Sequence, residues 1–365
     1  MPTKLCDYPM RILKLFLYPF ALLYGAGVLI RNIFYDVGIL PSKKFSFPII
    51  SVGNIAAGGT GKSPHVEYLI RLIEKKYEVA TLSRGYGRKT TGFIEVTNNS
   101  TFFDVGDEPL MFYKKYPVAA ITVDGNRMRG INKIKELHPD NKCIILDDAF
   151  QHRSVVAGLN ILLTEYSKLY INDLLLPTGY LREPKFGARR ADFIVVTKCP
   201  SVFSPLDARV IRTKLKIKDY QTVFFSYYKY GELKPVYSNE NSPLPKLNSK
   251  LSVVLVTGIA RAKNMYFVIN EKVNNVSHLD FPDHHVFTLS DINKVVKTFT
   301  ELKEENKIIL TTEKDAMRLH VPGIEEILKE FPIYYVPVKV QFHGKDKENF
   351  DENILTYVQR NTRSN

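Results

Sequence analysis

Cysteine is scarce in this sequence: three residues, Cys6, Cys143 and Cys199, in a chain of 365. They lie far apart and form neither a Cys-x-x-Cys pair nor a Cys/His cluster at metal-ligand spacing. That excludes a disulfide scaffold and a structural zinc, and it points to a reducing compartment. Gly and Pro, 20 of each, stay near average frequency, so nothing is collagenous or of low complexity. Acidic residues are in deficit: 38 Asp and Glu against 51 Lys and Arg leave a formal charge of +13. An anionic partner is therefore in view, either a nucleotide, a phospholipid surface or a nucleic acid. The sequence shows no Lys/Arg run of five or more and no recognisable reader motif, which argues against nucleic acid. It also shows no repeat at solenoid period. What remains is ordinary for a folded protein, with 45% hydrophobic and 24% charged residues and a length that suggests about two domains of roughly 150 residues each.

The N-terminus carries the first local signal. From Leu15 to Ile30 there is no charge, and Arg11, Lys14 and Arg31 bracket the run. It is shorter than the ~20 residues that span a hydrocarbon core, and Pro19 interrupts the backbone ladder within it. Gly25-Ala26-Gly27 is followed by more apolar sequence, which excludes a cleaved signal peptide. A buried core helix and a membrane-embedded helix both fit such a run; the flanking basic residues favour a monotopic anchor on anionic headgroups.

Beyond it the chain alternates apolar β-rich runs with helical patterns. Phe47 to Val52 reads as a strand, and Val66, Leu69, Ile70 and Ile73 fall at helical spacing after it. Further strands are expected at Val79 to Leu82, Val118 to Val123, Cys143 to Leu146, Leu159 to Thr164 and Phe193 to Thr197. Strands this apolar are buried on both faces, the mark of a mostly parallel sheet covered by helices. Thr222 to Tyr228 and Leu233 to Tyr237 read as two short strands around Gly231, and Asn239 to Ser249 is rich in Asn, Ser and Pro. An interdomain hinge is expected there. A second series follows, with strands at Ser252 to Val256, Val276 to Leu279, Lys307 to Thr311 and Ile333 to Val338, and a helix from Asp291 to Leu302. The predicted fold is α/β, with two α/β/α sandwich domains joined by a short β hinge. The first carries a P-loop NTPase-like sheet and the second is smaller. The expected boundaries are 1–34 for the membrane-associated helix, 35–226 for the P-loop domain, 227–250 for the two-stranded hinge and linker, and 251–365 for the C-terminal domain.

Gly58-Gly59-Thr60-Gly61-Lys62-Ser63 sits between the first strand and the helix that starts near Pro64. In such a loop the glycines let backbone N–H groups wrap a phosphate, the Lys neutralises its oxygens and the Ser holds Mg²⁺. Ala56 replaces the first consensus glycine. Cys143-Ile144-Ile145-Leu146 runs into Asp147-Asp148, where a P-loop fold puts carboxylates beside Mg²⁺; an acidic turn after a strand is the alternative. Gly106-Asp107-Glu108-Pro109 offers a general base or merely a helix start. Arg182-Glu183-Pro184 offers a phosphate-facing Arg held by its acid neighbour, or a surface pair. Asp283-His284-His285 is too isolated for a metal site.

Together with Gly53-Asn54, Ser83-Arg84-Gly85-Tyr86-Gly87-Arg88, Leu146-Asp147-Asp148-Ala149-Phe150-Gln151-His152-Arg153, Gly179-Tyr180-Leu181-Arg182-Glu183-Pro184, Gly258-Ile259-Ala260-Arg261, Phe281-Pro282-Asp283-His284-His285 and Thr312-Glu313-Lys314-Asp315-Ala316, these motifs resemble the tetraacyldisaccharide 4′-kinases of lipid A synthesis along nearly the whole chain. Ala149 stands where glycine is expected and Ser63 where threonine is usual, both small changes. The resemblance implies transfer of the ATP γ-phosphate to the 4′-hydroxyl of a tetraacylated disaccharide 1-phosphate, yielding the bisphosphorylated lipid A precursor, at the cytosolic face of a Gram-negative inner membrane. It implies ATP and Mg²⁺, with Gly58, Gly59, Thr60, Gly61, Lys62 and Ser63 cradling phosphate, and Ser63, Asp147 and Asp148 at the metal. Arg182 offsets phosphoryl charge, Asp107 is the base, and His284 comes from the second domain to tune it, which requires closure about the Tyr228 to Asn239 hinge. Gln151 and Glu183 make supporting or nucleotide contacts. The expected partners are ATP, the acylated lipid and an anionic membrane surface, with no nucleic acid and no obligate protein partner. The alternative is a membrane-associated P-loop ATPase acting as a nucleotide switch. Such proteins usually carry a Lys where this chain has Ala57.

Overall fold

A computed structural model describes residues 7–237, 244–260 and 262–362, with side chains of the N-terminal helix from Phe16 onward. Cys6, Arg261, the flanking Arg11 and Lys14 side chains, and the 238–243 part of the expected linker lie outside the described residues.

The chain forms two compact units that interleave along the sequence. The first takes residues up to Arg84, Val118–Tyr228 and everything from Val340; the second takes Gly85–Pro117 and Lys229–Lys339. This differs from the linear division expected at 226 and 251. Periodicity identifies a strand or helix but carries no information about which sheet it joins.

In the first unit the strands run in the spatial order Val338–Phe342, Thr222–Tyr230, Phe193–Thr197, Leu159–Glu165, Ile49–Gly53, Cys143–Asp147, Val79–Ser83, Ala120–Val123. The registered pairs among them are parallel. Ile49–Gly53, Cys143–Asp147 and Phe193–Thr197 are buried at every position. Such strands cannot present a face to water, so helices must cover both sides. The strand order reverses at Ile49–Gly53, flanked by Leu159–Glu165 and Cys143–Asp147. A ligand crevice is expected outside the carboxyl ends of strands at such a point.

The second unit has a five-stranded sheet ordered Lys234–Pro235, Ile333–Val336, Lys307–Thr312, Ser252–Thr257, Asn275–Asp280. It is parallel except at its Lys234–Pro235 edge. The two strands expected to make a hinge therefore pair elsewhere. Thr222–Tyr230 extends the first sheet beside Phe193–Thr197, and Lys234–Pro235 runs antiparallel to Ile333–Val336. The expected helix at 291–302 is Leu289–Glu301, opened by a capping box in which Thr288 and Asp291 exchange hydrogen bonds.

The N-terminal helix Asp7–Asp36 continues through Pro19. Pro19 removes one backbone donor without ending the helix, contrary to the expected interruption. Phe16–Asp36, 21 residues with mean hydropathy 1.4, is long and apolar enough to cross a membrane. Phe16, Phe20 and Leu23 are 72%, 62% and 71% exposed. The opposite side docks on the first unit: the Tyr24 hydroxyl donates to Arg182 O at 2.8 Å, and the Arg31 guanidinium donates to Gln151 O at 3.0 Å. Arg153 donates to Asn32 O at 2.8 Å and pairs with Asp36 at 2.5 Å.

Candidate active site

The glycine-rich loop lies at the strand-order reversal, as the fold requires. The strand ends at Gly53 and the helix opens at Lys62. Gly58 and Gly61 have φ of 102° and 91°, left-handed conformations that a side chain would strain. A Cβ at Gly61 would also collide with the Tyr228 hydroxyl. Within the loop, the Asn54 carboxamide donates to Thr60 Oγ1 at 2.7 Å and to Gly58 O at 3.4 Å. Pro64 falls in the first turn of the helix, where a missing N–H leaves no intrahelical partner unsatisfied.

Asp147 is buried at the end of its strand, and Asp148 follows in a left-handed conformation with φ 48°. That turn leaves the Asp148 carboxylate 3.6 Å from Lys62 Nζ and 3.2 Å from Arg182 Nη1. Burial raises the Asp148 pKa, but Lys62 and Arg182 outweigh it and keep the carboxyl ionised below its ordinary value. Arg182 is thus held by Asp148, not by Glu183 as the adjacent pair suggested. Glu183, 1% exposed, instead accepts from Gln151 Nε2 at 2.6 Å and from Arg190 Nη2 at 2.7 Å. The Gln151 amide also donates to Asn54 O at 2.8 Å, which ties the Gln151–Glu183 pair to the base of the loop. Ser63, Asp147 and Asp148 form an all-oxygen donor set with two carboxylates, which suits a hard cation such as Mg²⁺. Among the described residues no cluster of three His, Cys, Asp or Glu is poised to hold a metal by itself. A Mg²⁺ that keeps several waters and shares phosphate oxygens needs no such cage.

Asp107 and His284 belong to the second unit. The sequence boundaries put Asp107 with the P-loop and brought His284 to it by closure; both residues instead lie in one unit, with His284 Nδ1 3.2 Å from Asp107 Oδ2. Asp107 opens the helix Asp107–Lys115 after Gly106, whose φ is 92°, so the motif is a helix start as well as an acid site. The carboxylate is 4% exposed. Its Oδ1 accepts from Glu108 N at 2.9 Å, and its Oδ2 accepts from Arg318 Nε at 3.0 Å and from Arg318 Nη2. Burial alone would raise the Asp107 pKa, but Lys314, His284 and Arg318 together hold it well below the usual carboxylate range. Lys314 pairs with Glu108 at 2.9 Å, and Arg318 also grips Asp315 at 2.8 Å and Gly258 O at 3.0 Å. His284 has φ 58° and packs against the exposed Tyr86 ring, tilted at 49° with centroids 4.6 Å apart. His285 turns away to Asp291 at 2.9 Å.

Of the residues expected from sequence, Gly58 to Ser63, Asp147, Asp148, Gln151, Arg182 and Glu183 all lie in the first unit, and Asp107 and His284 lie in the second. Sequence reasoning passed over Arg318, Lys314 and Tyr86. Lys314 and Tyr86 stood in quoted motifs without an assigned role. Arg318 has no local signal: its partner Asp107 is 211 positions away.

A family model described as tetraacyldisaccharide-1-P 4′-kinase matches residues 13–359. The chain is 45% identical to the tetraacyldisaccharide 4′-kinase of Parabacteroides distasonis, covering 97% of each chain. It is 42% identical to that of Bacteroides thetaiotaomicron, covering 95% of this chain and 94% of the relative. Among solved structures it is similar to the kinase of the same family from Aquifex aeolicus in complex with ATP, with TM-score 0.71, 28% identity and coverage of 95% and 99%. Motifs, fold and relatives agree over nearly the whole chain, and the chain belongs to the tetraacyldisaccharide-1-phosphate 4′-kinase family.

Proposed function

We propose that the protein transfers the γ-phosphate of ATP to the 4′-hydroxyl of a tetraacylated glucosamine disaccharide 1-phosphate, at the cytoplasmic face of the inner membrane. The observation that carries this reading is the loop Gly58–Ser63 with Lys62 and Arg182 converging on Asp148, in a chain whose relatives bear that kinase's name. Lys62 and Arg182 are the cations that phosphate oxygens would engage, with amides of the loop and of the helix start beside them. Ser63, Asp147 and Asp148 would hold Mg²⁺, which neutralises charge on the phosphates when bound. Gln151 and Glu183 brace the loop through Asn54.

Asp107 is the proposed base. It takes the 4′-hydroxyl proton as the new oxygen–phosphorus bond forms and the bond to the ADP oxygen breaks, so ADP leaves and no covalent enzyme intermediate arises. A carboxylate held so far down is a weak base. Phosphoryl transfer through a loose transition state asks mainly for position, which Arg318 and His284 supply together at Oδ2.

The acceptor's four acyl chains keep it in the bilayer, because each CH₂ moved to water costs about 0.8 kcal/mol. The exposed apolar side of Phe16–Asp36 suits an enzyme that works at that surface, and the +13 charge suits an anionic leaflet. The test is transfer of labelled γ-phosphate to the tetraacyldisaccharide 1-phosphate in detergent micelles, comparing the parent protein with Lys62→Ala. A labelled bisphosphorylated lipid formed only by the parent with Mg²⁺ is the expected result. ATP hydrolysis or tight ATP binding without lipid product would put the nucleotide-switch reading in its place.

A further inference from the structure

Three consecutive carbonyl oxygens of the glycine-rich loop are each taken by a side chain that the proposed chemistry does not use. The Lys198 ammonium donates to Gly59 O at 2.6 Å, and the Thr197 hydroxyl donates to Thr60 O at 2.8 Å. His65 Nδ1 lies 2.7 Å from Gly61 O. A carbonyl oxygen has no proton to give, so Nδ1 carries the ring hydrogen and Nε2 accepts from the Ser226 hydroxyl at 3.0 Å. Thr197 and Ser226 are fully buried, and His65 is 3% exposed. All four residues belong to the first unit.

The local structure explains the arrangement. Thr197 ends the strand Phe193–Thr197 and Lys198 follows with φ 56°, so one sharp turn delivers two adjacent donors to two adjacent carbonyls. Lys198 is steadied by Glu165 at 3.5 Å. His65 lies in the first turn of the helix the loop feeds, and Ser226 on Thr222–Tyr230 fixes its ring from behind.

In a trans peptide the C=O and the following N–H point in opposite directions. Fixing Thr60 O and Gly61 O toward their anchors therefore fixes the N–H groups of Gly61 and Lys62 away from them. The Thr60 N–H is already committed to Gly58 O at 2.8 Å. Gly61 O also accepts from His65 N at 3.4 Å, but without the side-chain anchors a loop this rich in glycine would sample more orientations of those amides, and nucleotide binding would have to order them.

We propose that Thr197, Lys198 and His65 are positioning residues for ATP, holding the Gly59–Gly61 carbonyls outward so that the amides of Gly61 and Lys62 are aimed at phosphate before the nucleotide arrives. This rests on the use of ATP and not on the identity of the acceptor, so it is tested by nucleotide binding without lipid. Lys198 is thereby separated from Lys62: one ammonium is committed to the backbone, the other faces Asp148.

The probe is a non-hydrolysable ATP analogue with Mg²⁺, titrated by calorimetry into the parent protein, Thr197→Val and Thr197→Ser. Valine keeps the shape of threonine and deletes the donor. The dissociation constant is expected to rise about tenfold for Thr197→Val, the loss of one buried hydrogen bond, and to return to within about threefold of the parent for Thr197→Ser. In turnover assays the KM for ATP should rise with it while the KM for the lipid acceptor stays within about twofold. His65→Leu against His65→Asn, which restores an N–H at the Nδ1 position, gives the same comparison from the other side of the loop. Equal analogue affinity for Thr197→Val and the parent would overturn the proposal. So would a fall in melting temperature with no change in affinity, because Thr197 would then serve stability alone.

Discussion

Asp148 in the first unit and Asp107 in the second are both carboxylates gripped by cations, but the grips differ in kind. Asp148 is 36% exposed at the side chain and is held by Lys62 and Arg182, two groups that phosphates would compete for. Asp107 is 4% exposed and is held by Arg318, which is itself 2% exposed and locked between Asp107, Asp315 and Gly258 O. A part-exposed pair exchanges partners more readily than a fully buried one, which breaks only at the cost of several kcal/mol. The difference teaches where change is built into the site. Asp148 is set beside cations that a bound phosphate would share, while the Arg318 grip on Asp107 is buried away from such competition.

The largest effect that sharpens this contrast is expected at Lys62. Lys62→Ala should lower kcat/KM by on the order of 10³-fold and weaken ATP binding, as read by transfer kinetics and calorimetry. An unchanged ATP affinity would mean that Lys62 serves Asp148 and not the nucleotide. A smaller effect, of roughly tenfold in kcat, is expected for Arg318→Lys, which keeps one charge but loses the two-pronged grip. Its signature is in the pH profile. A base works only when ionised, so activity falls as pH drops through its pKa. With Asp107 held below the ordinary carboxylate range, the parent should show no acid limb from this group above about pH 4. Loosening the grip lets burial push the Asp107 pKa up, and the acid limb should move toward neutrality. Arg318→Met adds a check: it should also destabilise the fold by up to about 3 kcal/mol, because it strips the guanidinium from buried Asp107 and Asp315 and leaves Asp107 only Lys314 and His284. A parent-like acid limb in Arg318→Lys would break the comparison.

The smallest effect concerns the N-terminal helix. Tyr24 and Arg31 hydrogen-bond the backbone of Arg182 and Gln151, so the helix touches two segments that carry site residues. Tyr24→Phe should lower turnover on micellar acceptor by up to about fivefold, the worth of one partly exposed hydrogen bond. Activity below a tenth of the parent, with normal ATP affinity, would make the helix contact part of the site and not a mere docking bond.

Much of this was legible in the sequence, for reasons that differ by residue. The loop at 58–63 was readable because a strand, three glycines, Lys-Ser and a helix fall in one register. The strands at 143–147 and 193–197 were readable because strands buried on both faces are apolar along their length, here up to the polar residues Asp147 and Thr197 that end them. Asp107 was legible as a general base or a helix start and His284 as part of an Asp-His pair, and only the resemblance chose between those readings. The segment 85–117 was assigned to the wrong company, because the contacts that hold it run to Arg318 and Lys314, some 200 positions on. Glu183 shows the same limit in small. Its neighbour Arg182 offered a local pair, yet Gln151 and Arg190 hold it. Thr197 and Lys198 look like the unremarkable end of a strand until the loop carbonyls are laid against them.

The most direct measurement is the pair of constants for Asp107→Asn: turnover with the lipid acceptor, and the dissociation constant for Mg·ATP. If Asp107 is the fixed base of the second unit, kcat should fall by about 10²–10⁴-fold with ATP affinity within twofold of the parent. Weakened Mg·ATP binding with a matching loss of turnover would place Asp107 among the groups that hold the nucleotide and its metal, and the contrast drawn between the two carboxylates would fail.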